Sequence, residues 1–235
     1  MKILALIPAR GGSKRLVSKN LRELGGRPLI SWSIEFAKKQ DLFCDILVST
    51  DSEEIAQISR DAGALVPWLR PIELASDCAS SFDVAQHAIE WYEKNNGKID
   101  AILLLQPTSP FRSSRTLSEA IKLFQSSPEF PLLTVSPAIT HPDWALKELD
   151  NKFIPYFEKN GLNVRSQDLD SAFTPNGNLY LITPDALRRC GGFVGAVNSS
   201  IIIESKVESL DIDDEWDYEI SKYIVSNDKY RNYYN

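Results

Sequence analysis

The apolar positions of this 235-residue chain fall into short blocks separated by polar stretches, and the period changes from block to block. Residues 2–9 (KILALIPA) are almost continuously aliphatic, which predicts a buried strand. Residues 29–39 (LISWSIEFAKK) repeat apolar positions at helical spacing, and Pro28 suits the first turn. A short buried strand is expected at 45–49 (DILVS). Thr50-Asp51-Ser52 then precedes EEIAQISRDAG, a helix with an N-cap candidate, acids in its first turn and Gly63 at its end. Residues 64–67 form a further short strand, and 80–97 (SSFDVAQHAIEWYEKNNG) a helix closed by Asn and Gly. A wholly apolar strand at 101–105 leads through QPTSPFR to a helix near 115–125, and 131–136 (PLLTVS) is the next strand. From Thr140 to about Pro175 the alternation lapses into short apolar pieces, prolines and charges, the pattern of an insertion with short strands or an extended arm. It resumes with a strand at 178–182, a helix at 185–189, a strand at 200–204 and a last helix from about Glu215.

Strand and helix in alternation predict an α/β fold, a mostly parallel sheet covered on both faces. Residues 1–235 form one domain, with 140–175 inserted into it. Ligands of such sheets bind at the carboxyl ends of the strands. That directs attention to the loops at 8–20, 50–52 and 106–112, each directly after a strand.

Composition narrows the classes. The chain is 43% hydrophobic and 25% charged, an ordinary globular balance. No apolar run approaches the roughly 20 residues of a membrane span. The N-terminus lacks the apolar core and cleavage site of a signal peptide, so a cytoplasmic protein is expected. A net charge of −6 argues against a broad nucleic-acid surface. The three cysteines, Cys44, Cys78 and Cys190, lack metal spacing and read as buried or half-buried thiols. His87 and His141 read as structural, and Trp32, Trp91 and Trp144 as packing residues.

Against the acidic average, residues 7–20 (IPARGGSKRLVSKN) concentrate Arg10, Lys14, Arg15 and Lys19 beside Gly11-Gly12-Ser13. The spacing is neither GxxxxGK[ST] nor GxGxxG, so neither a Walker loop nor a dinucleotide fingerprint is present. Unobstructed backbone N–H groups among several cations suit a polyphosphate. The alternative is a solvated basic loop.

That stretch resembles the N-terminal signature of the CMP-sialic acid synthetase family, the cytidylyltransferases that activate nine-carbon acidic sugars. Four more stretches match in order across the whole chain: LRPIELASDCASS (69–81), LLLQPTSPFR (103–112), TPNGNLYLI (174–182) and LDIDDEWDY (210–218). The resemblance implies a Rossmann-like nucleotidyltransferase fold with an inserted dimerisation subdomain. It also implies a reaction of CTP with N-acylneuraminate, legionaminate or pseudaminate that gives CMP-sugar and diphosphate, with Mg²⁺ as cofactor.

It further implies site residues. Arg10, Gly11, Gly12, Ser13, Lys14, Lys19 and Asn20 would hold the triphosphate and ribose, and Arg70 and Ser80 lie in the segment that reads cytosine. Arg70 could otherwise be a plain surface arginine. Gln106 would bind the sugar, an amide offering both donor and acceptor, unless it caps the loop. Asp211 and Asp213 stand two apart in an extended segment, so alternation turns both carboxylates to one face, where they can share a hard cation. The family uses this pair for Mg²⁺; the alternative is an acidic first turn of the last helix, a role that fits Asp214, Glu215 and Asp217 better. Arg10, Lys19, Asp211 and Asp213 form the expected catalytic set. Lys147 and Arg165 would cross a homodimer to the partner's sugar carboxylate, or else form interface salt bridges. Asp51 resembles the family's STD segment, or is the N-cap of the next helix.

Three positions depart from the family. Val17 stands where Pro is frequent, Thr174 where a larger polar residue precedes PNG, and Asn178 where a small residue is usual. The last two leave the choice among nine-carbon acids open. The nearest rival, a CMP-Kdo synthetase, carries an acidic VQGDEP-like segment where this chain has LLQPTSP. A non-catalytic sugar-nucleotide-binding homologue is the rival from another class.

Overall fold

A computed structural model describes residues 1–76, 78–157 and 161–233, with 232–233 as backbone only. Position 77 of the LRPIELASDCASS stretch and positions 158–160 of the expected insertion lie outside the described residues.

In chain order the elements are β1 (Ile3–Pro8), the two-residue strands β2 (Glu23–Leu24) and β3 (Arg27–Pro28), α1 (Leu29–Lys38), β4 (Phe43–Ser49), α2 (Glu53–Asp61) and a single helical turn α3 (Ile72–Ala75). There follow α4 (Ser81–Asn96), β5 (Ala101–Leu104), α5 (Ser114–Ser126), β6 (Leu132–Pro137), β7 (Leu146–Leu149), β8 (Lys152–Pro155), β9 (Phe173–Ile182), α6 (Pro184–Cys190), β10 (Ser199–Ile202) and α7 (Glu215–Ser226).

The central sheet has six strands in the order β10-β6-β9-β5-β1-β4. β1 pairs in parallel with β4 and β5, and β10 in parallel with β6. β9 runs antiparallel to both of its neighbours, so the sheet is mostly parallel, as expected, with one reversal at its middle. Its continuous aliphatic strands need cover on both faces. On one face α1, α2 and α5 pack through Ile30, Ile34, Ile55, Leu117 and Phe124. On the other α4 and α6 pack through Ala85, Ile89, Tyr92 and Leu187. A third cluster gathers Leu16, Leu29, Trp32, Phe111, Ile212, Tyr218 and Ile224. It joins the first loop, the 106–112 loop and α7, three segments far apart in sequence.

Several expectations need correction. Residues 64–67 form no strand; one bridge, Leu65 to Leu47, is all the pairing they make. The N-cap of α2 is Ser52, whose side chain accepts from Ile55 N, and not Asp51. Cys78 is exposed, whereas Cys44 and Cys190 are half-buried. The strand expected at 178–182 begins at Phe173, inside the expected insertion. The rest of that insertion carries the exposed hairpin β7–β8.

β9 starts early because it contains a bulge. Leu133 faces Tyr180 and Val135 faces Pro175, so Thr134 stands opposite the four residues Asn176–Leu179. Side chains replace the missing ladder bonds. Thr134 Oγ1 donates to Asn176 Oδ1 (2.7 Å) and accepts from Leu179 N (3.0 Å), Asn178 N donates to Asn176 Oδ1 (3.2 Å), and Asn176 Nδ2 donates to Ser136 Oγ (2.9 Å). Asn176→Ala removes an acceptor for two buried donors. We expect a loss of about 1–3 kcal/mol, read in urea unfolding as a lower midpoint with unchanged slope; an unchanged midpoint would deny the bulge its support from this side chain.

Candidate active site

The first loop leaves β1 at the carboxyl edge of the sheet. Asn20 Nδ2 donates to the Arg10 carbonyl (2.9 Å) and closes the loop on itself. Gly11 N donates to Asp51 Oδ1 (2.8 Å), and a Cβ on Gly11 would stand 3.0 Å from Ser52 Cβ. Glycine thus permits the close approach of the two loops, and Asp51 anchors one to the other. Leu16, buried between exposed neighbours, ties the middle of the loop to the third cluster.

The loop's cations meet the acidic segment from the far end of the chain. Lys19 Nζ donates to the Ile212 carbonyl (3.0 Å) and to Asp213 Oδ1 (3.1 Å), and Arg15 Nη2 lies 3.0 Å from Asp213 Oδ2. Ile212 N donates to the Thr108 carbonyl (2.8 Å), and the Ile212 side chain is fully buried. Asp211 and Asp213 flank the buried Ile212, Asp211 lying beside Gly177 and Asp213 against Lys19 and Arg15. The two are close enough to interact. Burial raises the proton affinity of Asp211 above the ordinary carboxylate range; Asp213 and Asp217 add to this, while a hydrogen bond from Thr108 and the charge of Lys19 oppose it. Asp211 Oδ1 is buried without a hydrogen-bond partner among the described residues. Asp214 and Asp217 form the capping box of α7, with Glu215 also in its first turn, as expected for the acids that follow the pair.

Between these segments lies Gly177, at the tip of the β9 bulge with φ +77°. A Cβ there would stand 2.9 Å from Gln106 Oε1, 3.1 Å from Ser109 Oγ and 3.5 Å from Asp211 Oδ2. Both its backbone and its surroundings require glycine. Tyr180 joins the same group: burial raises the affinity of its hydroxyl for its proton, Asp211 adds to this, and a backbone hydrogen bond from Gly177 opposes it. A cavity of about 560 Å³ opens beside Asp211, its wall including Ile139, Thr174, Asn176, Lys206 and Asp217. That is the size of a small-molecule site.

Arg112 underlies the group, and the sequence reading gave it no role. Its side chain is 3% exposed. Nε donates to the Asn178 carbonyl (2.8 Å), Nη1 to Ser33 Oγ (2.9 Å) and Nη2 to the Gln106 carbonyl (2.6 Å). Burial pulls its pKa down to about 9, opposed by Asp211, and it remains a cation at neutral pH. A lone arginine after Pro-Phe carries no sequence signal of such burial.

The other expected site residues divide. Arg70 is buried and not a surface arginine. Nε donates to Ser49 Oγ (3.0 Å), Nη2 to the Ser49 carbonyl and Nη1 to the Leu74 carbonyl (3.4 Å). Burial lowers its pKa to about 10, Asp51 opposing and Arg10 assisting, so it lies within electrostatic reach of the first loop. Ser80 caps α4: its hydroxyl donates to Asp83 Oδ2 (2.6 Å) and accepts from Asp83 N (3.2 Å). Asn178 is fully buried, Nδ2 donating to the Glu208 carbonyl (2.7 Å). Lys147 and Arg165 are exposed on the insertion and contact its own residues, Lys147 Nζ lying 5.9 Å from the Tyr156 ring centre and Arg165 Nε 3.8 Å from Asp168 Oδ2. His87 accepts from the Trp68 indole N–H (2.9 Å), and His141 Nε2 lies 2.9 Å from the Asp170 carbonyl, both structural contacts.

Comparison with known proteins gives the family and the fold. The sequence profile of the cytidylyltransferase family matches residues 4–184. A CMP-N,N'-diacetyllegionaminic acid synthase of Legionella pneumophila is 33% identical over 96% of this chain and 97% of its own. A pseudaminic acid cytidylyltransferase of Campylobacter jejuni is 34% identical over 95% of this chain and 96% of its own. An N-acylneuraminate cytidylyltransferase of Escherichia coli is 34% identical over 100% of this chain, which spans 56% of that longer protein. Among solved structures, a CMP:2-keto-3-deoxy-manno-octonic acid synthetase complexed with CTP superposes with a TM-score of 0.69 at 17% identity, covering 96% of this chain and 99% of that one. At that identity the likeness concerns the fold. The chain belongs to the cytidylyltransferase family.

Proposed function

We propose that this protein transfers a cytidylyl group from CTP to a nine-carbon acidic sugar of the N-acylneuraminate, legionaminate or pseudaminate type. The single observation that carries the reading is the convergence, around Gly177, of Gln106 and the Asp211 segment, itself bridged by Lys19 and Arg15 to the basic loop. A polyphosphate on the loop and a polyhydroxylated acid at Gln106 would meet there. The anomeric oxygen attacks the α-phosphorus, the bond to the bridging oxygen of diphosphate breaks, and the hydroxyl proton leaves to solvent or substrate. Cations and N–H groups of residues 10–20 stabilise the charge that gathers on the diphosphate. Arg70 and Ser80 stand toward the cytosine end. CTP-dependent activation of a sugar acid belongs to glycan biosynthesis and to the cytoplasm, and no helix among the described residues is long and apolar enough to cross a membrane.

The residues fit Mg²⁺. Asp211 offers a buried, unpartnered oxygen, its burial outweighing the opposing hydrogen bond from Thr108 and the charge of Lys19, and Asp213 lies within electrostatic reach of it. Among the described residues no group of three or more His, Cys, Asp or Glu side chains gathers round a cation position. The protein would therefore supply two carboxylates and leave the remaining positions to phosphate oxygens and water, as Mg²⁺ prefers. When bound, the ion would screen the phosphates and polarise the α-phosphoryl group.

A homodimer with arm exchange completes the reading. Lys147 and Arg165 sit on an insertion whose Leu146, Leu149, Phe153 and Tyr156 are exposed, an apolar surface that supports burial against a second copy. From there the two cations would hold the sugar carboxylate of the partner's site.

Four measurements test this. With CTP and Mg²⁺, diphosphate release is expected with at least one of N-acetylneuraminic, legionaminic and pseudaminic acids and not with Kdo; no release with any nine-carbon acid would sink the proposal. Asp211→Asn should lower turnover at least ~100-fold, the scale of lost transition-state electrostatics. The same change should raise the thermal midpoint of the ligand-free protein near neutral pH. The folded-state pKa of Asp211 is raised, so its stabilising protonated form is fully present below the ordinary carboxylate range, and that contribution is lost as pH rises through the folded-state value. The gain should therefore vanish in acid, and a midpoint that falls at neutral pH would contradict a net cost of the buried charge. Finally, Arg165→Ala and Lys19→Ala variants, each inactive alone, should recover part of the activity when mixed; no recovery would count against arm exchange.

A further inference from the structure

One guanidinium holds both sides of the contact at the centre of the site. Gln106 Oε1 lies against Gly177, and Arg112 donates to the main-chain carbonyl of Gln106 on one side and of Asn178, the residue after Gly177, on the other. Its third bond, to Ser33, fixes this pair to α1, whose Ser33 is itself fully buried. The three acceptors come from three elements and are all neutral. A buried cation with no carboxylate in hydrogen-bonding contact is costly, and an apolar side chain in its place would take the donor from the Asn178 carbonyl and leave that of Gln106 with Ser109 N (3.1 Å) and a long bond from Ser33 Oγ (3.5 Å). Lysine cannot substitute, because an ammonium lacks the planar fork that reaches three separated acceptors.

We propose that Arg112 is the positioning residue of the sugar side of the site, setting the Gln106 amide against the β9 bulge so that it presents a fixed donor and acceptor to the acceptor substrate. Arg112 acts through Gln106 and touches no substrate itself. The inference rests on the reading of Gln106 as a sugar-binding residue. The nucleotide side, built on residues 10–20 and the Asp211 segment, does not share these three bonds.

The test is a double-mutant cycle with Arg112→Lys and Gln106→Ala, with separate Michaelis constants for CTP and sugar acid. Arg112→Lys should raise the KM for the sugar acid about tenfold and shift that for CTP no more than about twofold. In a Gln106→Ala background it should add no more than about twofold, since coupled residues are not additive. Equal rises in both constants, or full additivity, would overturn the proposal. Amide exchange by mass spectrometry gives a readout that needs no turnover. Arg112→Lys should speed exchange in 106–112 and 176–180 and leave 10–20 unchanged; unchanged exchange in the first two segments overturns the positioning role whatever the substrate. Should Arg112→Lys fail to fold, Ser33→Ala removes the third bond, together with the long bond from Ser33 Oγ to the Gln106 carbonyl (3.5 Å), and should shift the sugar KM in the same direction by about two- to threefold, with no shift counting against the proposal. Absence of wild-type turnover with every sugar acid is a separate result that sinks the substrate reading and leaves the exchange measurement to decide on Arg112.

Discussion

The reversal of β9 between β5 and β6 is the constraint on which the site depends. In an all-parallel sheet the carboxyl ends of β5 and its neighbour would each start a loop, with helices taking the chain back. Here the strand between β5 and β6 enters from the ligand edge, with Phe173–Pro175 leading in from the insertion. A bulge in that strand can therefore sit where loops normally do, held by ladder bonds on both sides. Gly177 is that bulge's tip, and its φ of +77° together with three side-chain oxygens within about 3.5 Å of a notional Cβ leaves room for no other residue. The position of the bulge is rigid because the sheet is.

Charge is arranged around this fixed point in two layers. Outside, Lys19 and Arg15 share Asp213 in a partly exposed network, where each pair contributes little to stability and exchanges easily. Inside, Asp211 is half-buried with one buried, unpartnered oxygen, and Arg112 is a buried cation among neutral acceptors. The outer layer is suited to rearrange when a polyphosphate competes for the cations. The inner one is not, because removing either buried charge's surroundings would cost several bonds at once. Under the proposed function the outer layer would be a pliant phosphate end and the inner one a stiff acceptor end, which suits a reaction in which a long flexible nucleotide must be aligned to one hydroxyl.

Much of this was legible along the chain. The strands at 2–9 and 101–105 were readable because aliphatic runs of that length have few other uses, and the polar loops after them followed from topology. Asp211-Ile212-Asp213 stood out because period two needs only three residues; the structure buries Ile212, and a cation shared by its two neighbours belongs to the proposal. The bulge was not readable: Asn176 satisfies Thr134 and Ser136, 40 and more residues away, and no local pattern announces that partnership. Arg112 was opaque for the same reason, its acceptors being Ser33, Gln106 and Asn178. At 64–67 the apolar content promised a strand, but the segment touches the edge strand β4 through one bridge only. Asn20 and Ser80, which the family resemblance assigns to the nucleotide, make bonds that resemblance does not reveal, Asn20 to the Arg10 carbonyl and Ser80 to Asp83.

The insertion gives the last step. A two-stranded hairpin is marginal in water by itself, and β7–β8 exposes Leu146, Leu149 and Phe153. Natural chains cover such a surface or lose the hairpin to aggregation. The same hairpin carries Lys147, and the chain runs from it past Arg165 directly into β9, the strand that holds Gly177. Under the proposed exchange, the segment that enters one site's central strand would carry cations to the other site, and covering the apolar hairpin would be coupled to completing the pocket for the acid. Recognition of the sugar carboxylate and assembly would then be one property. Specificity among nine-carbon acids would lie in residues such as Ile139 and Thr174, which line the cavity beside Asp211 where the inserted segment joins β6 and β9.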